Sequence, residues 1–81
     1  METLKQQILA KDPGATLRAK QLGRPANPML LELAKNPDAD IRRITLYCLK
    51  ETGAPEAAKQ FLASLTDEDP QVAGVAVDGM N

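Results

Sequence analysis

The sequence predicts an all-α protein built from short helical hairpins, and three observations lead there. Tyr47 and Phe61 are the only aromatic side chains in 81 residues, so the core must be Leu, Ile, Val, Ala and Met. That palette suits helix packing better than a β-sandwich. The prolines fall between apolar blocks rather than inside them. A ten-residue pattern then recurs along the chain at the spacing of one helical hairpin.

The apolar periodicity places six helices over about 2–10, 13–22, 28–35, 40–51, 55–65 and 70–80. Three of them start with an N-cap side chain followed by proline: Asp12-Pro13, Asn27-Pro28 and Asp69-Pro70. Proline suits the first helical position because its missing N–H has no intrahelical partner there. Gly23 and Gly53 follow periodic stretches, where a left-handed residue can close a helix. In the fourth helix Ile41, Ile44, Thr45, Cys48 and Leu49 recur at helical spacing, as do Ala58, Phe61, Leu62 and Leu65 in the fifth. These stripes predict a central core of Ile41, Ile44, Cys48, Leu49, Phe61, Leu62 and Leu65. The short connections predict antiparallel neighbours.

The blocks resemble one another. Leu9-Ala10-Lys11-Asp12-Pro13-Gly14-Ala15-Thr16-Leu17-Arg18 aligns with Leu33-Ala34-Lys35-Asn36-Pro37-Asp38-Ala39-Asp40-Ile41-Arg42 at an offset of 24 residues, with six of ten pairs identical. Leu65-Thr66-Asp67-Glu68-Asp69-Pro70-Gln71-Val72 repeats the second block, with Val72 lying 31 residues after Ile41. A helix–turn–helix unit recurring at about this period is a solenoid signature, because one unit cannot bury its apolar face alone.

The stretch Leu30-Leu31-Glu32-Leu33-Ala34-Lys35-Asn36-Pro37-Asp38-Ala39-Asp40-Ile41-Arg42 resembles a HEAT repeat. The type is the short bacterial and archaeal one, also seen in phycobilisome-lyase-like proteins and close to armadillo repeats. The resemblance covers essentially the whole chain. It implies a right-handed α-solenoid of about three hairpins in a single domain, with units about 1–23, 27–53 and 55–81. It also implies a ladder in which a turn Asp in one unit meets an Arg early in the second helix of its neighbour. The Asp position falls on Asp12, Asn36 and Asp67, and the Arg position on Arg18, Arg42 and Ala73. Arg42 is thereby expected to bond Asp67, and Arg18 to reach only the neutral Asn36.

The residues for catalysis are missing. There is no histidine, and Cys48 is the only cysteine, so the usual general base and the ordinary zinc-ligand sets are excluded. Cys48 lies on the predicted buried stripe and reads as a structural thiol. The acidic turns Asp38-Ala39-Asp40 and Asp67-Glu68-Asp69 lack the pattern of a calcium loop and read as helix caps. Ser64, the single serine, has no histidine to activate it. No phosphate-binding glycine loop precedes a helix. The reading is therefore of a protein that is not an enzyme and uses no cofactor or metal.

Ten basic and eleven acidic residues leave a net charge of −1. A nucleic-acid groove usually carries a basic surplus, so that partner is disfavoured. No apolar run is long enough to span a bilayer, and a lone cysteine suits a reducing, cytoplasmic setting. What remains is a protein-binding surface. In arrays of this kind the second helix of each unit lines the concave side, which puts Arg18, Lys20 and Gln21 there, then Arg42, Arg43, Tyr47, Lys50 and Glu51. Arg42, Arg43, Tyr47 and Lys50 form the candidate contact cluster, since Arg and Tyr are enriched at binding hot spots.

The sixth helix is apolar almost all round. Val72, Val75, Val77 and Met80 are the candidate interface residues there, facing further repeats of a longer array or another copy of the chain. The function expected is a scaffold or adaptor that binds another protein. The alternatives are an accessory module of a larger lyase-like or otherwise enzyme-associated protein, and a nucleic-acid-binding module.

Overall fold

The computed structural model describes residues 2–53 and 55–80; Met1, Ala54, Asn81 and the Met80 side chain lie outside this description. Six α-helices follow one another: α1 (Glu2–Leu9), α2 (Ala15–Leu22), α3 (Asn27–Leu33), α4 (Ala39–Thr52), α5 (Pro55–Ser64) and α6 (Pro70–Met80), with a 3-10 turn at Arg24–Ala26 between α2 and α3. They pair as hairpins α1–α2, α3–α4 and α5–α6, and α4 packs between α2 and α6. The result is an α-solenoid with α2, α4 and α6 as its inner layer.

The helix ends follow from local side chains. Asp38 accepts the Asp40 N–H at 2.9 Å, and Asp69 accepts those of Gln71 and Val72 at 2.8 and 3.3 Å. Asp69 thus caps as expected. Asp12 accepts the Gly14 N–H at 2.8 Å but does not cap α2, which starts at Ala15 rather than Pro13, with Gly14 at its N-cap and no side-chain cap bond. Asn27 does not cap α3 either. The 3-10 turn delivers the chain already helical, with Asn27 at φ −60° and ψ −41° and its N–H on the Arg24 carbonyl. Asn27 is instead a buried residue of α3, with its side-chain oxygen 2.7 Å from the Thr52 hydroxyl at the far end of α4. Gly53 closes α4 in the left-handed region, its N–H bonded to the Leu49 carbonyl.

The turn in the first hairpin is built differently from the other two. Lys11 takes φ 59°, while the Asp12 and Lys11 N–H groups bond back to the Gln7 and Ile8 carbonyls. This is a Schellman closure with lysine at the left-handed position. In the other two turns, Asn36 accepts the Asp38 N–H and Asp67 accepts the Asp69 N–H, each at 2.9 Å, before the capping Asp38 and Asp69. The structural counterpart of Asp38 and Asp69 is thus Asp12. The inner helices correspond as Ala15, Ile41 and Val72, then Ala19, Thr45 and Ala76, and all six are buried. The first two hairpins are therefore related by 26 residues, not by the 24 that sequence identity suggests.

The core is aliphatic. Leu4, Ile8, Leu30, Leu46, Leu49 and Val72 are fully buried, with Ile41, Cys48 and Phe61 beside them; each such side chain contributes about 1.5–3 kcal/mol of transfer free energy. Ile44 packs on this core half-buried. Two expected members fall outside it: Leu62 is 55% exposed and Leu65 37%. In α5 the buried stripe runs through Ala57, Phe61 and Ser64, and Ala58 is exposed. Both stripes include Phe61 and both satisfy helical spacing. Packing against α3 and α6 selects the one that puts the smaller Ala57 and Ser64 inward.

Candidate functional site

The inner helices carry the candidate surface, and the ladder settles what one of its residues touches. Arg42, in the first turn of α4, donates from Nε and Nη2 to the two carboxylate oxygens of Asp67 at 2.9 and 3.1 Å. Its Nη1 donates to the Asn36 and Pro37 carbonyls at 2.8 and 2.9 Å. Four of the five guanidinium N–H bonds are thus satisfied. The two side chains are only 14% and 12% exposed, so Arg42 ties the second hairpin to the turn of the third. The Arg42 hydrogen bonds hold the Asp67 carboxyl below its ordinary range, against the opposing effect of burial. The expected Arg42–Asp67 bond is present.

The first rung is different. Arg18 is exposed, and among the described residues it forms no hydrogen bond to Asn36. The two-residue shift of the first hairpin explains this: the position of Arg42 is held there by Thr16, whose hydroxyl lies 3.5 Å from the Pro13 carbonyl. The link between the first two hairpins is made instead by Lys11, whose Nζ lies 3.2 Å from Asp38 and 3.5 Å from Asp40. All three are well exposed, so the contact contributes little to stability. Its bond to Lys11 lowers the Asp38 carboxyl from its ordinary value.

Arg43 and Tyr47, one helical turn apart on α4, stand where two grooves meet. The first groove, about 680 Å³, runs between α4 and α6 and is lined by Arg43, Tyr47, Gln71, Gly74, Val75, Val77 and Asp78. The second, about 420 Å³, runs between α4 and the turn before α2 and is lined by Lys11, Asp12, Pro13, Thr16, Arg43, Ile44 and Tyr47. Tyr47 is 39% exposed. Arg43 reaches Asp40 at 3.5 Å, while its Nε is buried with no hydrogen-bond partner. Farther along, Thr16, Leu17, Lys20 and Glu51 line a further shallow depression, with Leu17 62% exposed. Lys50 is exposed near the end of α4. The structure thus brings Arg43 and Tyr47 together in the grooves and places Arg42 in the ladder. Leu17 was not among the sequence candidates. An apolar residue at that position reads as core in the 24-residue register and as surface in the 26-residue one.

The candidate residues of α6 divide. Val72 and Val75 are 0% and 5% exposed and belong to the core, because they face α4 and α5; Val77 is 51% exposed. Met80 lies outside the description of side chains.

Cys48 is fully buried in α4, and burial, with a smaller contribution from Glu51, pushes its thiol up to about 12. A group so raised is protonated at neutral pH and is a poor nucleophile. Thiol reagents are therefore expected to leave Cys48 unmodified in the native protein, with labelling appearing only as the chain unfolds in denaturant. Rapid native-state labelling, followed by mass spectrometry, would contradict its burial. Among the described residues no group of three or more Cys, Asp or Glu side chains is placed to hold a metal ion.

A family model for HEAT repeats matches residues 7–81. The chain belongs to the HEAT-repeat family. Comparisons with curated proteins and with solved structures return no match. HEAT repeats are in general non-catalytic scaffolds that mediate protein–protein interaction. No helix among the described residues is long and apolar enough to cross a membrane.

Proposed function

We propose that this HEAT-repeat protein is a non-catalytic cytoplasmic scaffold or adaptor that binds another protein along its inner helices, with Arg43 and Tyr47 at the centre of the contact surface. The observation that carries the reading is the shared wall. One aromatic and one guanidinium side chain line both grooves, and an extended segment crossing the solenoid would meet both. Tyr and Arg are the residue types that most often dominate interface energetics. The local charges also favour a protein. Lys11 and Arg43 lie against Asp38 and Asp40, and Lys20 shares a depression with Glu51. The surface therefore offers paired charges around apolar patches rather than the uncompensated basic stripe that phosphates need. Lys50 extends the cluster, and the three-unit division over 1–23, 27–53 and 55–81 is the arrangement on which it is presented.

The test compares proteins retained by the wild-type chain with those retained by a Tyr47→Ala, Arg43→Ala double variant, after nuclease treatment. Neither position is part of the buried core, so the variant is expected to keep its helical circular dichroism. Retention of a specific protein should fall by at least about tenfold, the loss typical of hot-spot truncation. Equal retention by both chains, or retention only of nuclease-sensitive material, would overturn the assignment.

A further inference from the structure

Four of the five glycines have a reason within the chain. Gly23 and Gly53 sit at φ 70° and 63°, a backbone region that side chains disfavour. A Cβ at Gly14 would lie 3.2 Å from the Asp12 carboxylate, and one at Gly79 would strike the Phe61 ring. Gly74 has neither reason. It lies inside α6 with helical backbone, and a Cβ there would meet nothing within 4 Å. A glycine inside a helix costs backbone entropy on folding, so the free chain would be more stable with alanine at this position.

Gly74 stands in the groove between α4 and α6. The buried positions of these helices correspond at 31 residues, which pairs Gly74 with Arg43 and Asp78 with Tyr47. The four residues are thus the corners of the groove floor, Arg43 and Tyr47 on one helix, Gly74 and Asp78 on the other. Leu17 holds the same place on α2, at the 26-residue register, and is 62% exposed. The row Leu17, Arg43, Gly74 therefore carries a large side chain on two helices and none on the third. The missing side chain leaves a gap beside Tyr47, Val75 and Val77. Charges of opposite sign stand at diagonal corners: Arg43, no closer than 3.5 Å to Asp40, and the exposed Asp78. Stacking does not close a groove of this kind, since the one between α4 and the turn before α2 is open although α6 packs on α4.

We propose that the gap over Gly74 receives an apolar side chain of a peptide segment that also sets a carboxylate beside Arg43 and a cation beside Asp78. It rests on the protein-binding reading above and names the kind of segment the groove selects. The glycine then gives up helix stability for a recess that a partner fills, and the diagonal charges fix the direction in which the segment lies.

Selection of random dodecapeptides displayed on phage against the 81-residue chain tests it. Enriched sequences are expected to place an aliphatic or aromatic residue between an acidic and a basic one. A synthetic peptide of that sequence should lose at least about tenfold in affinity with Gly74→Ala, where a methyl overpacks the contact, and more with Gly74→Leu. Both variants should keep their helical circular dichroism. Without peptide, Gly74→Ala should instead raise the folding equilibrium constant by about two- to fivefold. A glycine with a purely structural role would not give these opposite effects. Repeating the selection on Arg43→Glu should exchange the acidic residue for Lys or Arg. A peptide that binds Gly74→Leu as tightly as wild type, or a chain destabilised by Gly74→Ala, would overturn the role of Gly74. A selection without binders, or binders whose charges do not follow Arg43→Glu, would overturn the proposed segment. The wider protein-binding reading fails separately, when the Tyr47→Ala, Arg43→Ala variant retains protein as well as wild type does.

Discussion

Replacing Phe61 by alanine is expected to cost about 3–5 kcal/mol, the range for truncating a buried aromatic ring. Phe61 is 4% exposed and is the one phenylalanine of an otherwise aliphatic core. It holds α5 to α6, where its ring lies so close to Gly79 that a Cβ there would fall 2.5 Å from a ring carbon. Glycine at that position allows the helices to approach; an alanine would push the ring out of its site. The loss from Phe61→Ala is a large part of the stability available to so small a domain. Denaturant titration followed by circular dichroism measures it, and a loss below about 1 kcal/mol would be too small for a buried ring.

The second large effect is expected at the Arg42–Asp67 rung. A double-mutant cycle with Arg42→Ala and Asp67→Ala should give a coupling of about 0.5–3 kcal/mol, as for contacting members of one hydrogen-bond network. The bidentate geometry and low exposure of the pair favour the upper part of that range. Additive effects would show that the two residues act separately. The pH dependence has a definite sign. Arg42 lowers the Asp67 carboxyl from its ordinary 3.8 in the folded chain. A carboxyl lowered on folding stabilises the native state above its unfolded value, and that contribution is lost as pH falls through the folded value. The difference in stability between wild type and Asp67→Asn should therefore be largest near neutral pH and shrink in acid. A difference independent of pH would argue that the ion pair is not its source.

Much of this architecture could be read from individual residues. Proline placement marked the connections, Asp69 marked a helix start, and Gly53 marked a helix end, because capping is a local matter of one side chain and two or three backbone groups. The Arg42–Asp67 rung was legible through family resemblance. The failures share a cause. Leu62 and Leu65 satisfy the helical spacing that also fits Ala57, Phe61 and Ser64, and a helix of ten residues can be turned to bury either set. Arg18 matches Arg42 by identity, yet the buried positions of the first hairpin correspond to those of the second at 26 residues rather than 24, which gives the place of Arg42 to Thr16. Asn27 has the look of a cap, but the preceding 3-10 turn brings it in already helical and its side-chain oxygen accepts from the Thr52 hydroxyl instead.

The sequence by itself determined the elements and their class: six short helices, an aliphatic core and a hairpin that recurs. Those properties depend on composition, local capping and period, which act within a few residues. Tertiary structure decided which stripe of α5 faces inward, that Thr16 rather than Arg18 takes the ladder position of the first hairpin, and which valines of α6 are covered. Each depends on how far one helix is rotated against the next. That rotation is set by the summed packing of neighbouring hairpins, which no single helix encodes.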